Sequence, residues 1–176
     1  MKTLIALCGK KRSGKSSAAD HLQHHIGPSC YQFSFADAIK SEVAKIFGNH
    51  SEQQKEIIRP VYQTVGEAAK RIWGDMVWVE IVERQIKAME DEHAVIVIDD
   101  LRFPFEAEWA RKMGGQVWRI RRPETDCIQD THVSETEVER VLADLEITND
   151  STIEYYNKIQ QAYETINNVQ GVGIGG

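Results

Sequence analysis

The run Thr3-Leu4-Ile5-Ala6-Leu7-Cys8-Gly9-Lys10-Lys11-Arg12-Ser13-Gly14-Lys15-Ser16 decides the fold. Its first six residues form an apolar stretch ending at a glycine, the pattern of a buried strand. Gly9 to Ser16 is a complete G-x-x-x-x-G-K-S, Ser13 included. From Lys15 onward the spacing of Ala18, Leu22 and Ile26 gives a helix with one apolar face. A glycine-rich turn between a strand and a helix start lets backbone N–H groups converge on an anion, and the helix N-terminus adds partial positive charge. In such a loop Lys15 reaches the β- and γ-phosphates of a nucleoside triphosphate, and the Ser16 hydroxyl sits on Mg²⁺.

Outward from this loop, strand and helix patterns alternate. Tyr31–Phe35 reads as a second strand and Ala36–Phe47 as a helix stopped by Gly48-Asn49. Glu52 to Glu92 reads as helical, broken at Pro60 and Gly74. One apolar stripe there is Val61, Val65, Ala69 and Ile72; another is Val79, Val82, Ile86 and Met89. Ala94–Ile98 has the β-branched run of a central parallel strand. Phe105–Met113 is a helix capped by Gly114-Gly115, Gln116–Ile120 and Leu145–Thr148 are further strands, and Tyr156, Ile159, Tyr163 and Ile166 mark a closing helix. The alternation predicts a three-layer α/β fold, a central parallel sheet flanked by helices. At 176 residues the chain suits one domain, expected over 1–170 with a glycine-rich tail at 171–176.

Composition narrows the function. Hydrophobic residues at 41% and charged ones at 27% are ordinary globular usage and exclude disorder and coiled coil. No apolar run approaches the roughly 20 residues of a membrane span, and the start is too short for a signal peptide. The net charge of −6 argues against a nucleic-acid polymer as partner. Cys8, Cys30 and Cys127 lack metal-ligand spacing and read as reduced thiols of a cytoplasmic protein.

Within a phosphate-binding α/β domain, no Asn-Lys-x-Asp guanine-reading motif is present, which argues against a GTPase switch. The strand at Ala94–Ile98 ends in Asp99 and Asp100, whose side chains alternate, so one faces the phosphates. Arg102 is followed by Glu106 at a helix start, a spacing that also suits a surface ion pair. Arg119, Arg121 and Arg122 lead into a polar stretch that either forms a mobile lid over the transferred phosphoryl or is a solvated face. On strand alternation Arg119 and Arg121 share a face and Arg122 takes the other; Arg122 is the one expected to act. His132 suits a cap or solvent position, and Trp73 and Trp78 read first as core packing.

The same residues resemble the bacteriophage deoxynucleoside monophosphate kinases of the T4 type. Lys11-Arg12-Ser13-Gly14-Lys15 is similar to that family's K-R-S-G-K. Arg59, Gln63, Gly66 and Trp78 follow its R…Q-x-x-G…W-V order. Asp100-Leu101-Arg102 with Glu106 resembles D-x-R-x-x-x-E, Arg122-Pro123 and Asp130-Thr131-His132 its R-P…D-T-H, and Ile147-Thr148-Asn149-Asp150 its I-T-N-D. Two features depart from the T4 type, which has Asp at the position of Ser16 and a longer middle helical region; the second bears on base preference.

The resemblance implies a P-loop kinase of deoxynucleotide biosynthesis that moves the γ-phosphoryl of ATP, with Mg²⁺, onto a deoxynucleoside monophosphate. It assigns Lys11, Arg12, Gly14, Lys15, Ser16 and Ser17 to ATP. Ile39, Lys40, Arg59, Gln63, Gly66, Trp78, Asp100, Arg102 and Glu106 go to the monophosphate, on a helical insert at about 48–92 and neighbouring segments. A lid would cover about 122–135, and Lys15, Asp100, Arg102 and Arg122 would carry the catalysis. Partners are then small molecules, with dimerisation left open. The other readings are a phosphomevalonate- or dephospho-coenzyme-A-kinase-like enzyme and a nucleotide-dependent switch without an acceptor.

Overall fold

The computed structural model describes residues 2–49, 51, 54–126 and 136–171. Five strands, β1 (Thr3–Cys8), β2 (Cys30–Phe33), β3 (Val95–Leu101), β4 (Gln116–Arg121) and β5 (Leu145–Thr148), form one sheet in the order β2-β3-β1-β4-β5. Every neighbouring pair is parallel. The helices are α1 (Lys15–Ile26), α2 (Phe35–Phe47), α3 (Lys55–Trp73), α4 (Val77–Ala88), α5 (Pro104–Lys112), the short α6 (Pro123–Asp126) and α7 (Ile153–Gly171).

Strand alternation builds the three layers. Leu4, Ala6 and Cys8 of β1 and Ile96 and Ile98 of β3 join one core with Phe35, Val79, Val82, Ile86 and Trp109, from α2, α4 and α5. Ile5 and Leu7, with Val95 and Val97, join the other with Leu22, Tyr155 and Ile159, from α1 and α7. Strands β1 and β3 are buried on both faces, as a sheet covered by helices on both sides requires. Cys8 and Cys30 are free and buried, and burial pushes both thiols up to about 11. Among the described residues no helix is long and apolar enough to cross a membrane.

Several elements differ from the sequence reading. Strand β2 stops at Phe33 because Ser34 caps α2, its hydroxyl accepting from Asp37 N at 3.1 Å. Strand β3 runs on to Leu101, so Asp99 and Asp100 lie within it and not beyond its end. Pro60 does not break the chain: α3 runs through it from Lys55 to Trp73. Proline removes only its own N–H bond, here to the carbonyl of Glu56 near the amino end of the helix. The stripe beyond it holds only in part, since Ala69 is buried while Ile72 is exposed. Trp73 is 70% exposed, not core, while Trp78 is 5% exposed. The break at Gly74 is present. Of the tail expected at 171–176, Gly171 belongs to α7 instead, and 172–176 lie outside the described residues, as does most of the expected lid with Cys127, Asp130, Thr131, His132 and Glu135.

Proline inside a helix costs about 3 kcal/mol, and Pro60→Ala recovers that cost by restoring the missing donor. It also returns roughly 1 kcal/mol of freedom to the unfolded chain. The variant should therefore be more stable by about 1–2 kcal/mol, seen as a melting temperature raised by roughly 2–8 °C; a lowered one would mean that the helix bends at Pro60 to good purpose.

Candidate active site

The phosphate loop follows β1 and is shaped by close backbone contacts. Gly9 and Gly14 have φ of 144° and 106°. A Cβ on Gly9 would lie 2.3 Å from the Ile120 carbonyl oxygen, and one on Gly14 would lie 2.2 Å from Asn149 Nδ2. Arg12, between them, takes the left-handed φ of 66° although it is not a glycine. The loop's carbonyls point outward onto donors from elsewhere in the chain. Asn149 Nδ2 donates to Ser13 O at 2.8 Å, and the Tyr155 hydroxyl donates to Gly14 O at 2.9 Å. Buried Lys15 donates from Nζ to Gly9 O at 2.6 Å and to Lys10 O at 2.8 Å, which holds its ammonium at the loop.

Neighbouring strands bring the carboxylates of β3 to this loop. The Ser16 hydroxyl donates to Asp99 Oδ2 at 3.4 Å. Burial, with Asp100 and Asp37 nearby, pushes the Asp99 carboxyl up to about 6 against the opposing pull of the Ser16 hydroxyl and Lys15. Asp100 points the other way, into the start of α2. Its two oxygens accept from Ser34 Oγ, Phe35 N and Ala36 N, each at 2.9 Å. It thus meets orphan donors and the positive end of the helix. Burial still pushes the Asp100 carboxyl up, against those three hydrogen bonds.

On the other side of β3 the residues expected at the monophosphate gather around α3. Arg59, Gln63, Gly66 and Lys70 recur at helical spacing and share one face. The Lys70 Nζ lies 4.6 Å from the centre of the Phe103 ring, which sits next to Arg102. Gly66 meets α2 closely, since a Cβ there would be 3.1 Å from Ile39 Cδ1. Its carbonyl accepts from Trp78 Nε1 at 3.2 Å, so Ile39, Gly66 and Trp78 pack as one unit. Lys40 is on the exposed side of α2, paired with Asp37 at 2.5 Å. Glu106 is 5% exposed and so is not the surface residue that an exposed ion pair would need. Instead its Oε2 accepts from Arg102 N at 2.7 Å and Phe103 N at 3.0 Å, capping α5 and holding the loop that carries Arg102.

The three arginines after Gln116 separate. Arg119 is buried, donates to the Val141 carbonyl oxygen and pairs with Glu139 at 3.7 Å and Glu146 at 3.9 Å. Arg121 is exposed and pairs with Glu146 at 3.4 Å. Arg122 pairs with Glu124 at 2.9 Å and lines a cavity of about 500 Å³ with Arg12 and the first turn of α1.

Comparison with known proteins gives the family and the fold. The family model of deoxynucleotide monophosphate kinases matches residues 51–159. The chain belongs to that family. A protein of Acanthamoeba polyphaga mimivirus, provisionally named a deoxynucleotide monophosphate kinase, is 31% identical over 89% of this chain and 93% of its own. An uncharacterised protein of Ictalurid herpesvirus 1, ORF77, is 30% identical over 86% of this chain and 65% of its own. Among solved structures, dephospho-CoA kinase from Campylobacter jejuni superposes with a TM-score of 0.58 at 16% identity, covering 97% of this chain and 100% of that one. TT1252 from Thermus thermophilus superposes with 0.55 at 12%, covering 93% and 97%. At these identities the two structures share the P-loop kinase fold.

For this nucleotide kinase, sequence reading missed Tyr155 and Lys70 as neighbours of the candidate site, and for Tyr155 it had no signal. Asn149 entered only inside the I-T-N-D match, and its contact with Ser13 joins residues 136 apart. A helical spacing of seven between Gln63 and Lys70 was the available clue for Lys70.

Glu106 generates a stability test. Burial first, and Asp100 next in the same direction, push its carboxyl up to about 7; its two backbone donors and Lys70 pull it back. A folded pKa above the unfolded value of about 4.5 means the folded chain holds this proton more tightly. Its contribution is therefore complete below about pH 4.5 and is lost as pH rises to about 7. Glu106→Gln keeps an acceptor for both N–H groups and cannot ionise. Thermal melts from pH 5 to 8 should show a smaller loss of stability in the variant than in wild type, by about 1–3 kcal/mol. Parallel curves would mean that Glu106 is ionised throughout.

Proposed function

We propose that the chain transfers the γ-phosphoryl of ATP to a deoxynucleoside 5′-monophosphate, giving ADP and the deoxynucleoside diphosphate. The observation that carries this reading is the pair of basic faces on either side of the carboxyl end of β3. One is the phosphate loop with Lys15; the other is the α3 face from Arg59 to Lys70 with the Arg102 loop opposite it. A switch protein has no use for the second face.

The residues suit an in-line transfer. The acceptor phosphate is ionised at neutral pH, so positioning and charge neutralisation suffice and no strong base is required. Arg59 and Arg102 offer forked donors for the acceptor phosphate. Gln63, Lys40 and the packed unit of Ile39, Gly66 and Trp78 border the nucleoside, and Glu106 acts by holding Arg102 in place. Lys15, with Lys11, Arg12, Ser13 and Ser17 around the loop, holds the donor phosphates, and Arg122 covers them from the other wall of the cavity. The Ser16 hydroxyl and Asp99 are hard oxygen donors of the kind Mg²⁺ prefers, and the ion, when bound, offsets phosphate charge. Asp100 supports the site through α2, its two oxygens holding Ser34, Phe35 and Ala36 at the start of that helix.

A coupled assay of ADP release with a panel of deoxynucleotide and ribonucleotide monophosphates tests the reading. Lys15→Ala should lower turnover by about 10³-fold or more with the fold intact by circular dichroism; near wild-type turnover in the folded variant would remove the donor site from this loop.

Arg102→Lys tests the acceptor side. It keeps the charge and loses the planar fork, so the acceptor KM should rise several-fold while the ATP KM stays within about twofold. A rise confined to the ATP KM would put Arg102 on the donor side.

A further inference from the structure

The cavity beside the phosphate loop has a wall that phosphate binding does not explain. Besides the first turn of α1 it is lined by Arg12, Arg122, Asn149, Ser151 and Tyr156, and Tyr156 is the only aromatic among the described lining residues. The ring is braced from behind. His21 lies 5.0 Å from it at 45°, and Tyr155 lies 5.1 Å from it at 55°. Tyr155 is in turn tied through its hydroxyl to Gly14 of the loop, so the ring of Tyr156 is held at a set place relative to the phosphate cradle. His21 is a neutral brace. Burial, then His25 and His24, lower its pKa, and its buried Nε2 has no hydrogen-bond partner. A half-buried phenol ring fixed at the side of a phosphate site has the form of a stacking surface.

The other groups on this wall are poorly equipped to tell one purine from another. Asn149 could have read a base edge, but its Nδ2 is bonded to Ser13 O and its Oδ1 accepts from Ser151 N at 2.9 Å. Arg122 faces Glu124 through both Nε, at 3.0 Å, and a terminal nitrogen, at 2.9 Å. No carboxylate is among the described lining residues, so among them the N–H donors of a guanine edge and the amino group of adenine both lack an acceptor-only side chain. The hydroxyls of Ser17, Ser151 and Tyr156 turn to donate or accept as required. Stacking, by contrast, is available to every base because each has a π-face.

We propose that Tyr156 is the platform on which the base of the phosphoryl donor stacks, and that the donor site grips this base by its face without reading its edge. Selectivity among bases then rests with the acceptor half of the site. The inference rests on the assignment of this cavity to the donor nucleotide made above.

The test is displacement of a fluorescent ATP analogue by ATP and by GTP at equilibrium, without any acceptor, on wild type, Tyr156→Phe and Tyr156→Leu. ATP and GTP should bind wild type within about tenfold of each other. Tyr156→Leu should weaken both by about tenfold or more, and Tyr156→Phe should stay within about twofold of wild type. In the coupled assay the leucine variant should keep the acceptor KM. Should Tyr156→Leu not fold, Tyr156→Gln replaces it with the same expectation. A preference for ATP over GTP beyond about 100-fold, or unchanged binding in the folded leucine variant, overturns the proposal. Binding as stated with no monophosphate accepting a phosphoryl leaves the platform standing and removes the transfer reaction. Absence of binding by either nucleotide to wild type removes both.

Discussion

A loop that turns its N–H groups toward an anion must turn its carbonyls away from it, and those carbonyls then need donors of their own. In this kinase the donors come from the far end of the chain and from the loop's own lysine. Asn149 serves Ser13, Tyr155 serves Gly14, and Lys15 serves Gly9 and Lys10. The first two contacts span 136 and 141 residues and require β5 to stand two places from β1, with α7 packed back on α1. The sheet order is therefore part of the site. Without β4 and β5 in register beside β1, the loop would keep its sequence and lose its shape. Each buried carbonyl left without a donor would cost about 1–3 kcal/mol.

The two acids of β3 divide between chemistry and construction because neighbouring strand residues face opposite sides. Asp99 meets Ser16; Asp100 anchors the first turn of α2. Glu106 does for the Arg102 loop what Asp100 does for α2, each carboxyl group taking backbone N–H groups at a helix start. Each positions an element that carries candidate ligands: α2 for Ile39 and Lys40, the short loop before α5 for Arg102. Asp99 apart, the charged groups left to face phosphate on either side are cations, as suits a reaction that moves anionic groups.

What was legible in the sequence follows the range of the interactions. The strand, loop and helix of residues 3–26 are specified locally, by an apolar run, two glycines and a helical stripe, and they formed within a residue or two of expectation. The family resemblance rested on those residues and on short patterns further along, and the match over residues 51–159 agrees with it. Pro60 and Trp73 misled because their local preferences were outweighed. Packing of Ala69 and Gly66 against neighbours carries α3 through the proline, and Trp73 sits on the helix side that nothing described covers. The alternation of Asp99 and Asp100 was readable, but which one faced the loop was not. That choice depends on the register of β3 against β1, and the pairing shifts between Ala6 and Cys8.

The two halves of the site are held by different kinds of bond. The donor loop is fixed by hydrogen bonds to its backbone, which specify position to within a few tenths of an ångström and tolerate little change in chain length. The acceptor side is held mostly by side-chain packing, with Gly66 against Ile39, Trp78 on one carbonyl of α3, and Lys70 over Phe103. Such contacts can be rebuilt with residues of other sizes while the sheet and the loop stay as they are. A helical region on this footing can lengthen or shorten without disturbing the phosphate cradle.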